Sequence, residues 1–291
     1  MKELEEYLNW CDQMYSSSSP CQCGNACTNA NYCQGQQQDC YSCIQRVHHY
    51  WNTTIHYNCE KMVYCYTLKH GYRFGAEIFY EFQREQASLS QFEDIFIASI
   101  GCGPCTELFG SLLQWRSMGK PDSMYHFRGF DTERVWWDSL MQQVVTFFPN
   151  ADVETYCEDV FAHYADCQER VDVIVLNYML SDMKKFNPVA FNVFLDNLVT
   201  FIEQKHVRYI MVNDIYLKIS VGASRDLLNA LNHSGINCGI LAWQYSGLNN
   251  FIGQYGQIIP RQKFRMNNAS IVNRYAPFSE VNSIQTIIRV Q

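Results

Sequence analysis

Apolar positions recur at helical spacing near the start of the chain and then, beyond about residue 93, in short solid blocks. Leu4, Tyr7, Leu8 and Cys11 sit three and four residues apart among acids, which predicts an amphipathic helix and not a signal peptide. From Cys59 to about Gln86 there are few breakers and many aromatic and long side chains, so one or two helices are expected to lead into the main domain. The pattern then alternates. Strands are predicted at 94–100, 124–130, 152–156, 172–177 and 208–213, with helices at about 105–117, 132–147, 186–204 and 223–233. Two further strands, near 237–244 and 283–290, close the chain. Runs such as VDVIVLN are apolar on both faces, as parallel strands covered by helices must be. There is no internal repeat, and no apolar run reaches the roughly 18 residues of a membrane span. A cytoplasmic α/β protein without membrane attachment is expected.

Composition adds two constraints. With 291 residues, 47% of them hydrophobic, the chain can form one full α/β domain plus a small appendage. Its net charge of -7 means that any nucleic-acid contact must come from a local patch. Nine of the 14 cysteines fall in the first 65 residues, and without a secretory signal a dense cluster reads as metal ligands before disulfides. Thiolates one to three residues apart can turn back on one ion, and zinc takes four ligands tetrahedrally. Two zinc ions are expected, with Cys21, Cys23, Cys27 and Cys33 on one, and Cys40, Cys43, Cys59 and one histidine, taken as His49, on the other. An iron-sulfur cluster is the rival. The surrounding SSSSP and QGQQQD are too polar to fold alone and would need metal as a staple. Cys11 and Cys65 lie on apolar helical faces and read as core thiols. Residues 1–66 are thus expected to form a small zinc-stapled domain and 67–291 the main one.

The stretch IASIGCGPCTELFG, residues 97–110, reads as a strand, a glycine turn and a helix. Gly101 and Gly103 let the backbone turn sharply and a ligand lie against it, and Pro104 fits the first helical turn. A dinucleotide site would have its third glycine at Thr106, and a sulfonium-cofactor site would have it at Cys105. The next strand, YHFRGFD, ends at Asp131, whose carboxylate can accept from both hydroxyls of a ribose. CEDV places Asp159 where an adenine amino group could be held. Either aspartate could instead cap the helix that follows it. NYMLSD, after the fourth strand, lines the cleft where a reacting group would sit.

IASIGCGPCTELFG, FRGFDTE, ETYCEDV and VDVIVLNYMLSDM, in this order, resemble the successive cofactor-binding segments of class I S-adenosylmethionine-dependent methyltransferases, over roughly residues 67–291. The GCGPxTEL turn is the strongest part, and IQTIIRV at the end suits that family's seven-stranded sheet with its reversed last strand. The resemblance implies a Rossmann-like, mostly parallel sheet flanked by helices. It also implies bound adenosylmethionine, with Gly101 and Gly103 near the methionine portion, Asp131 at the ribose and Asp159 near the adenine. The family usually has an acid two places before the first glycine; here it is Ser99, which can still hydrogen-bond the ligand. Cys105 replaces the third glycine, and at the start of a helix it can point away. Asn177, a candidate for both cofactor and acceptor, and Tyr178 are the residues best placed to hold an acceptor, followed by Asn213 and Asp214. NYML differs from the NPPY type of amino-directed DNA methyltransferases, and no cysteine is placed for covalent attack on a pyrimidine.

Between Asp226 and Glu280 there is no acid, whereas Arg261, Lys263, Arg265 and Arg274 all occur there. In RQKFR the basic side chains alternate and would share one face of a strand, opposite Phe264. With Tyr245, Phe251 and Tyr255 nearby, Arg261, Lys263 and Arg265 suit phosphate contact and base stacking. Nucleic acid, RNA before DNA, is therefore the acceptor expected. A small-molecule or protein acceptor, covered by the aromatic segment 41–66, is the second reading. The third is a non-catalytic binding or assembly protein that has lost the cofactor.

Overall fold

In a computed structural model, the structure describes residues 2–17, 40, 41, 44, 57, 59–246, 255–262, 268–278 and 280–291. The first strand, β1 (Ile95–Ile100), lies at the centre of the sheet. It pairs in parallel with β2 (Tyr125–Phe130) on one side and with β4 (Val173–Asn177) on the other. β3 (Asp152–Tyr156) extends the sheet beyond β2, and β5 (Tyr209–Ile215) extends it beyond β4. β8 (Ser283–Val290) then inserts antiparallel between β5 and β6 (Cys238–Tyr245). The full order is β3-β2-β1-β4-β5-β8-β6-β7, which is a Rossmann-like sheet of eight strands where seven were expected. The addition is β7 (Gln257–Ile259), three residues paired in parallel with β6 at the edge and too short to show a period.

The apolar strands separate two cores because successive side chains point to opposite faces. Ile95, Ile97, Phe127, Val173 and Val175 face α1 (Lys2–Ser17), α2 (Glu60–Arg84) and α4 (Thr106–Ser117). Ala98, Ile100, Ile174, Leu176, Ile210 and Val212 face α6 (Val160–Ala165), α8 (Pro188–Lys205) and α9 (Lys218–His233). A short α3 (Gln86–Leu89) follows α2, and α5 joins Arg134–Trp136, a π turn at Trp137–Met141, and Gln142–Val145. Between β4 and α8 stands α7 (Leu180–Phe186), and α10 (Ala269–Tyr275) precedes β8.

Leu4, Tyr7, Leu8 and Cys11 of α1 are all buried, and the Tyr7 hydroxyl donates to the Pro104 carbonyl at 3.2 Å. Each such leucine contributes about 1.5–3 kcal/mol by leaving water. α1 therefore belongs to the core under the sheet, and α2 runs unbroken through residues 66 and 67, where the sequence reading divides the chain. Cys11 and Cys65 are core thiols. Glycines let α2 and α4 come close: a Cβ on Gly110 would stand 2.0 Å from the Gly75 carbonyl oxygen. No helix among the described residues is long and apolar enough to cross a membrane.

Of the expected zinc ligands, Cys21, Cys23, Cys27, Cys33, Cys43 and His49 lie outside the described residues. Cys40 is buried and Cys59 half-buried. Among the described residues, no three His, Cys, Asp or Glu side chains converge as a metal site.

Candidate functional site

β1 sends the chain to one side through β2 and receives β4 on the other, so the loops at its carboxyl end diverge and leave a crevice. A cavity of about 440 Å³ occupies that place. Its floor is the glycine turn. Gly101 and Gly103 have φ of +66° and +47°, a region open to glycine at little cost. The next residue in that region is Cys105, at φ +53°. Its thiol is fully buried 3.2 Å from the Cys102 sulfur, against Gly129 of β2, and so points away from the cavity.

Asp131 closes the end of β2 and lines the cavity. Its carboxylate accepts from the Gly103 and Glu133 amides, each at 2.9 Å, which ties the turn to the strand end and leaves lone pairs for hydroxyl donors. Burial pushes its pKa up to about 6, and the two amide hydrogen bonds hold it back from rising further. Ser99 is buried, and its hydroxyl donates to Glu107 Oε1 at 2.6 Å. Glu107 is thus the carboxylate at the place where an acid two residues before Gly101 would lie; it comes from the first turn of α4 instead. Burial raises it to about 7, with Ser99 and Asn177 favouring the ionised form.

Asn177 and Tyr178 both line the cavity at the end of β4. Asn177 Oδ1 accepts from Asn213 Nδ2 at 2.8 Å. Tyr178 has φ +57°, a costly conformation for an aromatic residue, and is pinned there by its amide, which donates to the Asn213 carbonyl at 2.7 Å. Its hydroxyl donates to Glu77 Oε2 at 2.9 Å, so the ring and not the hydroxyl faces the cavity. Asn213 and Asp214 stand behind this wall. Asp214, raised to about 6 by burial, accepts from the Ser181 hydroxyl at 2.6 Å and the Ser181 amide at 2.9 Å. Asp182, beside it in sequence, lines the cavity and is pushed to about 7 by burial and by Asp214.

Asp159 stands elsewhere. It is exposed, it caps α6 by accepting from the amides of Phe161 and Ala162, and it is not among the residues that line the cavity. Arg261 is held by Glu280 at 2.8 Å and by the Ser246 carbonyl at 2.8 Å. Lys263 and Arg265 lie outside the described residues. Arg274 pairs with Asp12 at 2.9 Å.

Of the rest of the lining, Tyr57 and Tyr66 belong to the aromatic segment 41–66 and Asp182 to NYMLSD, whereas Phe74, Glu107, Glu133, Trp136 and Phe186 went unread in the sequence. Tyr57, Tyr66, Phe74, Trp136 and Phe186 supply aromatic walls, while Glu107, Glu133 and Asp182 join Asp131 as carboxylates. Among the described residues no Lys, Arg or His lines this cavity. Ser99 and Glu107, eight residues apart, are the one pair that spacing could have signalled, as polar groups on either side of a strand-turn-helix.

No protein-family model matches the chain, and no curated protein matches it in sequence. Solved structures do resemble its fold. A precorrin-6y C5,15-methyltransferase from Geobacter metallireducens aligns at 8% identity over 72% of this chain and 88% of its own, with a TM-score of 0.43. The plantazolicin methyltransferase BpumL, solved with SAH, aligns at 14% identity over 77% and 86%, with a TM-score of 0.42. A human methyltransferase 10 domain containing protein aligns at 10% identity over 73% and 81%, with a TM-score of 0.41. Likeness at this level leaves the function to the residues of the chain itself.

Those residues fit adenosylmethionine in two respects. The cofactor is cationic at sulfur and at its amino group, and the cavity offers carboxylates and aromatic faces with no opposing cation among the described residues. Thr106 Oγ1, buried at the cavity edge, has no hydrogen-bond partner among the described residues. Cys105 gives α4 no side-chain cap, which leaves its positive end for a carboxylate.

Proposed function

We propose that the chain is an S-adenosylmethionine-dependent methyltransferase. The observation that carries this reading is Asp131, at the end of β2, accepting from the Gly103 amide in the wall of a cavity at the switch point of the sheet. When bound, the cofactor supplies a methyl group made electrophilic by a sulfonium. Asp131 receives the ribose hydroxyls, the turn at Gly101 and Gly103 passes beneath the methionine portion, and Glu107 and Asp182 complement the positive charge. The aromatic walls keep water out, and Asn177 with the Tyr178 ring shapes the acceptor end.

A small-molecule acceptor takes precedence over nucleic acid. A lining with four carboxylates repels phosphate, and Arg261 is already engaged by Glu280. RNA binding that weakens steeply between low and moderate salt would reverse that order. The zinc reading of the cysteine-rich segment rests on its spacing, and purified protein containing neither zinc nor iron would end it.

Calorimetric titration with adenosylmethionine and adenosylhomocysteine tests the central reading. Binding is expected, and Asp131→Ala is expected to weaken it by about 1.5–3 kcal/mol, the worth of hydrogen bonds to a charged group. Absence of binding by the intact protein would favour the non-catalytic reading.

A further inference from the structure

A second cavity, of about 250 Å³, is lined by Arg73, Arg261, Pro277, Phe278, Glu280 and Asn282, and its Arg73 stands against the Tyr178 ring that lines the first. Arg73 is the anomaly. It is 7% exposed, yet among the described residues its side chain donates no hydrogen bond, and its Nε is buried without a partner. A guanidinium carries five donors, and leaving them unused inside a protein is costly. Rings surround its faces: the guanidinium carbon is 4.5 Å from the centre of Phe278 and 5.4 Å from those of Phe74 and Tyr178. Stacking of this kind satisfies the faces and leaves the donors, which point outward in the guanidinium plane, for a ligand.

The nearest carboxylate does not fill them. Glu77 lies 3.9 Å from Arg73 Nε, and its oxygens accept from the Tyr178 hydroxyl, Asn213 Nδ2 and the Asn282 amide. It balances the charge of Arg73 from a distance. The other cation of the cavity, Arg261, is paired with Glu280. One guanidinium with free in-plane donors in a small cavity walled by Phe278 and Pro277 matches a planar monoanion that can accept two parallel bonds. A dianionic phosphate would meet Glu280 and Glu77 with a single uncommitted cation to offset them.

We propose that this cavity binds the carboxylate of a small organic acid, and that this acid is the methyl acceptor. Arg73 clamps the carboxylate, and Tyr178, whose ring contacts Arg73 and lines the larger cavity, separates the anchored end from the reacting end. The acceptor assignment rests on the methyltransferase reading, whereas the carboxylate site does not.

Benzoate is the probe, with benzamide as its neutral counterpart and inorganic phosphate as competitor, each titrated calorimetrically into the full chain. Benzoate is expected to bind and benzamide not. Arg73→Met should weaken benzoate at least about tenfold, and Arg73→Lys, which keeps the charge and loses the fork, by a smaller factor. Circular dichroism and thermal melting report whether each variant folds, and Arg73→Lys carries the test if Arg73→Met does not. Failure of benzoate to bind, equal affinity in both variants and wild type, or displacement by phosphate at lower concentration would each overturn the carboxylate site. Adenosylhomocysteine is titrated into the wild type in parallel. If benzoate binds and adenosylhomocysteine does not, the acceptor assignment falls through the methyltransferase reading and not through Arg73. Methyl transfer from adenosylmethionine to a panel of small acids, but not to their amides, is the result expected when both hold.

Discussion

The two cavities share no lining residue and differ in almost every respect, although the Phe74 and Tyr178 rings of one stand against Arg73 of the other. The larger, at the end of β1, has aromatic walls and four carboxylates, and among the described residues it has no basic side chain. The smaller has two arginines, one of them buried and, among the described residues, with its Nε lacking a partner. Successive positions of α2 serve them: Phe74 lines one and Arg73 the other, because neighbours on a helix are turned by about 100°. Opposite charge environments can therefore lie a ring's width apart without neutralising each other, provided that the wall between them is held rigidly. The wall is Tyr178, and what holds it is Glu77.

Breaking that wall should have the largest effect. Glu77 is fully buried and accepts from the Tyr178 hydroxyl at 2.9 Å, from Asn213 Nδ2 at 3.0 Å and from the Asn282 amide at 2.9 Å. Glu77→Ala would strand all three donors and leave Arg73 without a counter-charge, at a cost of about 3–5 kcal/mol. Urea unfolding should show the midpoint falling with little change in slope. A loss below about 1 kcal/mol would mean that the wall stands without Glu77.

Gly110→Ala should come next. It forces a Cβ to within 2.0 Å of the Gly75 carbonyl oxygen, so α2 must move away from α4 and carry Arg73 and Phe74 with it. Overpacking against backbone costs about 1–3 kcal/mol, and this contact belongs at the upper end. Because both cavities take a wall from α2, affinities for adenosylhomocysteine and for benzoate should fall together. A fall in one alone would show that the cavities do not share α2 as their common support.

These contacts also mark where sequence reading stops. The apolar blocks located β1 to β6 and β8 within a residue or two, most plainly at β1 and β4, central parallel strands that are apolar on both faces. The pattern passed over β7, α7 and α10 and gave α6 no bounds beyond its cap at Asp159, each being of seven residues or fewer and too short to display a period. Asp131 was legible because the end of a strand fixes where its side chain lies. Glu107 was not, since only the turn of α4 brings it to Ser99. Arg73 is further out of reach, with its neighbours Phe278 and Asn282 some two hundred positions away in the chain.

A smaller effect should follow pH. Glu107 and Asp182 titrate near 7 and Asp131 near 6, all raised by burial. Below pH 6 they hold protons, and the larger cavity loses the negative charge that complements a sulfonium. Affinity for adenosylmethionine should rise up to about tenfold between pH 6 and 8, and affinity for adenosylhomocysteine, which lacks the sulfonium charge, should rise less. The sign for stability is opposite. A carboxyl whose pKa is higher in the folded state contributes stability below its unfolded value and loses it as pH rises through the folded one. The melting temperature of the ligand-free protein should therefore fall between pH 5.5 and 8, with added adenosylmethionine restoring most at the alkaline end. Benzoate affinity at Arg73, which stays charged throughout, should change least.

The smallest effect sharpens the boundary of the larger cavity. Asp159 was expected near the adenine and instead accepts from the Phe161 and Ala162 amides at 2.9 and 3.0 Å, as the exposed cap of α6. Asp159→Ala removes a helix cap, at a typical cost of about 1 kcal/mol. If that is its whole role, the melting temperature drops slightly and affinity for adenosylhomocysteine is unchanged. If the carboxylate instead turns from the helix to an adenine amino group when the cofactor binds, affinity should fall severalfold in this variant. In that case the cofactor crevice would continue past Asp131 to the carboxyl end of β3. Asp159→Asn separates the two cases, because asparagine caps a helix about as well as aspartate but presents a different hydrogen-bonding edge to a base.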